Sequence, residues 1–253
     1  MKKLILLITM VSFTLQAQNL TVSSGTSFTV DKTGSVTITG NFSNSGTFTL
    51  NSDADEFSSI IVSGSSTGNI DYNRYVNAVG TDEWDLIGSP LDAVSISTFV
   101  TANTAGTATL ATNGSAYAVG EYDNTIDTWT NYTTATVGAA GNFDIGKGYQ
   151  MASVDGGTGI LKFTGTVAST TQTQAIINND AANSNAGRRW NLIANPFPSY
   201  VQGNSNADGS NNFLTVNADK LDDSFEAVYG YDADGTGYTL SLIHISEPTR
   251  RRG

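Results

Sequence analysis

The chain of 253 residues has no cysteine and a single histidine, His244. Without thiols there is no disulfide framework, so an exported chain must rely on packing and strand pairing. Cys–His nucleophiles and thiolate metal sites are excluded as well. His244 stands beside Arg250, Arg251 and Arg252 in a terminal stretch, "LSLIHISEPTRRRG", whose composition departs from everything before it. Cations are scarce throughout, with 12 Lys and Arg against 23 Asp and Glu, for a net charge of −11. That balance argues against a nucleic-acid partner, because phosphate binding needs clustered Lys and Arg. Proline occurs four times, and charged residues make up only 14%.

What is present is an apolar fraction of 39%, embedded in Gly, Ser, Thr, Asn and Asp. Thr, Val, Ile and aromatics favour strands, while Gly, Asn and Asp supply turns, so the expectation is an all-β extracellular protein. The first residues, "MKKLILLITMVSFTLQAQNL", join two lysines to a short apolar run ending in Gln16-Ala17-Gln18. This is the pattern of a secretory signal peptide, residues 1–17, with cleavage after Ala17. The run is too short to span a bilayer, and no later stretch could do so.

From 18 to 77 apolar residues pair at alternate positions: Leu20/Val22, Phe28/Val30, Val36/Ile38 and Phe48/Leu50. Such alternation marks short strands with one buried face. Turn residues recur every six to eight positions, which suits the sides of a small β-solenoid better than an ordinary sandwich, with a meandering sheet as the competing geometry.

Beyond residue 78 the chain duplicates itself. "EWDLIGSPL" (83–91) recurs as "RWNLIANPF" (189–197), an offset of 106 residues from Trp84 to Trp190. "AVGEYDNTIDTW" (118–129) recurs as "AVYGYDADGTGY" (227–238) at an offset of 109. The unit reads as a core strand stopped by proline, a polar stretch, and a hairpin around Asp, Asn and Gly. The expected organisation is a β-sandwich (jelly-roll-like) domain at 78–175, an incomplete second copy at 176–239, and a non-native tail at 240–253.

"GNIDYNRYV", "WDLIGSP", "YDNTIDTW", "GKGYQ", "LKFTGTV" and "WNLIANPFPS" together resemble the large surface and secreted proteins of Bacteroidota-type bacteria. The resemblance implies export by the type IX secretion system through a C-terminal sorting domain, here missing, and a secreted or outer-cell-surface location. It implies adhesin-like or matrix character and no catalytic residues. Residues 241–253 resemble translated sequencing-adaptor read-through, so His244 and the arginine run carry no functional weight.

Without His or Cys, chemistry would fall to carboxylates, yet Glu56, Glu83, Glu121 and Glu226 are the only glutamates before the tail. No motif singles out a carboxylate pair, and no enzymatic activity is expected. Gly146-Lys147-Gly148 lacks the phosphate-loop spacing and reads as a turn. No cofactor is implied except calcium. Asp232 and Asp234 in "DADGTG" are candidate ligands, and Asn204–Asn212 is a second oxygen-rich loop. The aligned "DNTIDT" repeats the position without the ligand pattern, which favours a plain turn. Trp84 and Trp190, each beside Leu-Ile, read as core. Trp129, with Tyr122, Tyr132 and Tyr149, forms the candidate glycan-contacting set. The functional expectation is an adhesin-like or structural binding protein whose partner is an extracellular glycan or a surface or matrix component. The alternative is a carbohydrate-binding accessory region of a larger secreted polysaccharide-degrading enzyme.

Overall fold

A computed structural model describes residues 14–79, 84–106, 109–178, 189–222, 227–231 and 238–241. The fold is all-β, with two short helices and no closed barrel among the described residues. Asp232, Asp234, His244 and the terminal arginines lie outside the described residues.

The N-terminal part is a three-sided parallel solenoid. Strands β1 (Thr14–Ala17), β4 (Ser35–Ile38) and β7 (Ser59–Val62) form one side. Strands β2 (Leu20–Val22), β5 (Phe42–Asn44) and β8 (Ser66–Thr67) form the second. Strands β3 (Ser27–Val30), β6 (Thr47–Asn51) and β9 (Ile70–Tyr75) form the third. Successive strands on a side are 20–24 residues apart, so each turn of the coil uses three short strands and three corners. Alternation then points Val36, Ile38, Phe42, Phe48, Leu50, Ile60, Ile70 and Tyr72 into one shared interior. Parallel stacking in register also aligns like side chains. Phe28 stacks on Phe48 at 5.1 Å, and Asn73 donates from Nδ2 to Asn51 Oδ1 at 2.9 Å. At one corner Asn41 accepts from the Ser65 amide at 3.0 Å, while its own amide donates to Asn19 Oδ1 at 2.7 Å. The first strand, β1, falls within the segment read as a signal peptide.

The second part is not separated from the solenoid at residue 77. Strand β15 (Ile160–Gly165) pairs antiparallel with β9 along its whole length and extends the third solenoid side. Helix α1 (Ile96–Thr104) covers it. Ser95 caps the helix by accepting from the Thr98 amide, and Ile96, Phe99, Val100 and Asn103 form its buried stripe. Asn103 completes the free edge of β15, accepting from the Lys162 amide at 2.8 Å and donating to the Lys162 carbonyl at 3.0 Å. The facing antiparallel sheet contains β10 (Asp85–Ile87), β11 (Thr112–Asn113), β12 (Ala116–Asp123), β13 (Thr128–Thr133) and β14 (Tyr149–Met151). Its order is β10-β14-β12-β11, with β13 also on β12. Four aromatic rings join the layers: Phe163 of β15 meets Phe99 at 4.6 Å and Phe143 at 6.0 Å, and Phe143 meets Tyr149 at 4.9 Å. The result is a sandwich continuous with the solenoid core.

The duplicated region docks onto this body. The Ile60 amide donates to the Pro198 carbonyl at 2.8 Å, which covers the last strand of the first solenoid side. Helix α2 (Phe213–Asn217) follows, and β16 (Val228–Tyr231) with β17 (Tyr238–Ser241) makes a two-stranded sheet of its own.

Candidate functional site

Two glycines decide how the second copy meets the first. A Cβ on Gly148 would fall 2.3 Å from Leu192 Cγ, and one on Gly88 would fall 2.5 Å from Ala194 Cβ. Only the bare backbone admits the second copy there. The Gly148 amide donates to the Leu192 carbonyl at 2.9 Å, and the Ala194 amide donates to the Gly146 carbonyl at 2.9 Å. Gly146-Lys147-Gly148 is therefore a short pairing edge as well as a turn.

Asn124 makes the second attachment. It is buried, and its Nδ2 donates to the Ile177 carbonyl at 3.0 Å and the Trp190 carbonyl at 3.3 Å. Asn191 binds the same segment, accepting from the Ile177 amide at 3.0 Å and donating to its carbonyl at 2.9 Å. Its counterpart in the first copy, Asp85, likewise holds a preceding segment by accepting from the Asn77 amide at 2.8 Å.

These contacts leave a cleft of about 380 Å³ between the copies, lined by residues 121–125, Asp144, Lys147, 174–177 and 190–193. Such a volume lies in the range of small-ligand sites. A second cavity, beneath α1, is about 10 Å³ and offers room for no more than a water. Within the cleft Lys147 Nζ donates to Glu121 Oε2 at 2.5 Å and lies 3.7 Å from Asp144 Oδ2. Asp123 accepts from the Thr125 hydroxyl and amide, and these bonds hold its carboxyl below the usual carboxylate range. Trp190 lines the cleft and is 46% exposed, with its ring perpendicular to that of Tyr229 and the centroids 4.9 Å apart.

The expected glycan set is only partly brought together. Tyr122 and Trp129 are cross-strand partners with rings 5.2 Å apart, and the Tyr122 hydroxyl donates to Asp127 Oδ1 at 2.6 Å. Tyr122 also lines the cleft. Tyr132 is half-buried against the core, and burial pushes its phenol up. Tyr149 is 1% exposed, with its ring packed on Phe143 and its hydroxyl accepting from the Asp144 amide at 3.0 Å. It is a core residue and cannot stack on a ligand. The reason is strand parity, since the side of β14 bearing Tyr149 and Met151 faces the aromatic layer. Trp190 also departs from its expected core place. Residues 192–194 lie along the first copy instead of inside a sheet of the second, and the indole is left at the cleft.

Of the oxygen-rich loops, Asn204–Asn212 is described and satisfies itself. Asp208 Oδ1 accepts from the Ser210 and Asn211 amides at 2.9 and 2.8 Å, which lowers its pKa. Among the described residues no group of three His, Cys, Asp or Glu side chains is arranged to hold a metal ion.

Sequence reasoning missed Asn124, Lys147, Asp144 and Trp190 as parts of one site. One signal was available: the repeat places Gly88 where the second copy has Ala194, the small pair that meets at the junction.

The chain belongs to the family described as a domain of unknown function, DUF8693, whose model matches residues 5–233. No curated protein and no solved structure matches it. Among the described residues no helix is long and apolar enough to cross a membrane.

Proposed function

We propose that this protein is a secreted or cell-surface binding protein of adhesin-like character, without catalytic activity of its own. The observation that carries the reading is the cleft built jointly by the two copies, polar at its floor and walled by an exposed tryptophan. The body behind it supports the same reading. A solenoid and a sandwich sharing one core make a stiff base that holds a contact site outward. In this reading the leader is removed after Ala17, which takes β1 with it and leaves β4 as the end strand of its side. Export would then depend on the type IX machinery and a sorting domain beyond the present chain.

A second reading draws on Glu121 and Asp144, two carboxylates that meet in a concave site, as a hydrolase using only Asp and Glu requires. Against it, Lys147 is ion-paired with both, at 2.5 Å to Glu121 and 3.7 Å to Asp144, so neither carboxylate stands as a free acid or base. The carbohydrate-binding accessory reading differs from the leading one only in what lies beyond this chain.

The test is attachment of the purified chain to polysaccharide-coated and matrix-protein-coated surfaces, with released sugars and peptides assayed in parallel. Saturable attachment without product supports the proposal. Product formation that Glu121→Gln abolishes would replace it with the hydrolase reading, and absence of attachment to every surface would overturn it. N-terminal sequencing of the exported protein should begin at Gln18, and a start that retains Thr14–Ala17 would overturn the leader assignment.

A further inference from the structure

We infer that the cleft between the two copies takes a short neutral saccharide, with one sugar ring stacked on Trp190 and its hydroxyls bonded to the carboxylates of the same lining. This rests on the binding reading above and specifies its ligand.

The chemistry of the lining narrows the choice. An exposed indole offers a broad apolar face, which suits the C–H face of a pyranose ring. The backbone behind it is fixed, because the Trp190 carbonyl accepts from Asn124 and the neighbouring Asn191 is bonded at both ends of its amide to Ile177. A platform whose backbone is already tied down costs less ordering on binding. In the same lining Glu121, Asp123 and Asp144 supply carboxylate oxygens, and an ionised carboxylate can only accept. A ligand that fills this wall must therefore bring donors, and sugar hydroxyls do so.

Charge excludes the other saccharide classes. Three carboxylates against the single ammonium of Lys147 leave the lining negative, in a chain already at −11. Uronates and sulfated chains would meet repulsion there, with no arginine fork among the described lining residues to receive them.

The site differs from the hairpin surface expected from sequence. Trp129 is packed beside Tyr122 and is not part of the cleft wall, so the two tryptophans make opposite predictions. Isothermal titration of the full chain with neutral cello-, xylo-, manno- and malto-oligosaccharides, and with oligogalacturonate and a sulfated oligosaccharide, separates them. At least one neutral series should bind and the anionic ones should not. Trp190→Ala should weaken binding about tenfold or more, as loss of a central aromatic contact does, while Trp129→Ala stays within about twofold. Asp144→Ala, at an exposed carboxylate in the same wall, should also weaken binding while leaving the circular dichroism spectrum unchanged. Preference for the anionic sugars, or loss on Trp129→Ala alone, would overturn the inference. If no saccharide binds but surface attachment persists, this inference fails and the binding reading stands. If attachment is lost as well, both fail.

Discussion

The two copies of the repeat begin with nearly the same sequence and put it to different uses: in the first it is strand β10, in the second it makes only an isolated bridge, Ile193 with Lys147. In the first, Trp84 is half-buried against the core, Asp85 is buried and β10 pairs with β14 inside the sandwich. In the second, residues 192–194 pair with 146–148 of the first copy, and Trp190 stays 46% exposed. The motif Trp-Asp/Asn-Leu-Ile therefore specifies an extended segment and a way of pinning the one before it. It does not specify which neighbour the segment meets. That is decided by which partners are within reach. The first copy has β14, β15 and α1 around it, whereas the described part of the second has the outer edge of the first.

The largest difference should be seen on truncating one aromatic in each copy. Phe163→Ala removes one ring of a four-ring cluster at a fully buried site and should cost about 3–5 kcal/mol in denaturant unfolding. Trp190→Ala removes an exposed ring and should cost less than about 1 kcal/mol. Equal costs would mean that the second copy is as deeply packed as the first.

Next in size is the junction itself. Gly148→Ala places a methyl against Leu192 and should cost about 1–3 kcal/mol, the usual range for overpacking. Its signature is local: amide exchange at position 148 and at Ala194 should quicken while the solenoid amides keep their protection. If the added methyl left those rates unchanged, the pairing of 192–194 with 146–148 would not be what holds the second copy in place.

The smallest effect at neutral pH is nil by construction and appears only in alkali. Burial raises the Tyr149 phenol, so the folded chain holds that proton where the unfolded chain would release it. The contribution is fully present below about pH 10, the ordinary tyrosine value, and is lost as pH rises through the folded pKa. Thermal melts from pH 8 to 11 should therefore decline more steeply for the parent than for Tyr149→Phe. Parallel slopes would place the alkaline sensitivity elsewhere, for example at Tyr72, which burial also raises.

Much of the fold was legible along the chain because the relevant physics is local. Alternation at Val36/Ile38 and Phe48/Leu50 marks strands whatever they pair with, and turns every six to eight residues fit the 20–24-residue coil of three sides. Helix α1 is hard to see in the sequence: Ser95 and the spacing of Ile96, Phe99, Val100 and Asn103 carry a helical signal, but its threonines and valine argue for a strand. The residue pattern changes at 77, yet β15 crosses that point by pairing with β9 from about ninety residues further along, a contact that no local pattern encodes.

The site divides in the same way. Sequence alone determined that this is an acidic all-β chain without thiols, and with its one histidine confined to an anomalous tail. It also showed that one unit is written twice, because composition and repetition are properties of the string. Only the tertiary structure decided that Tyr149 is core while Trp190 is surface, and that Glu121, Asp144 and Lys147 meet. Side-chain parity on β14 and the bare backbone at Gly88 and Gly148 set those outcomes. Both act through neighbours distant in sequence, where a single methyl or a one-residue slip reverses what is buried and what is offered to a ligand.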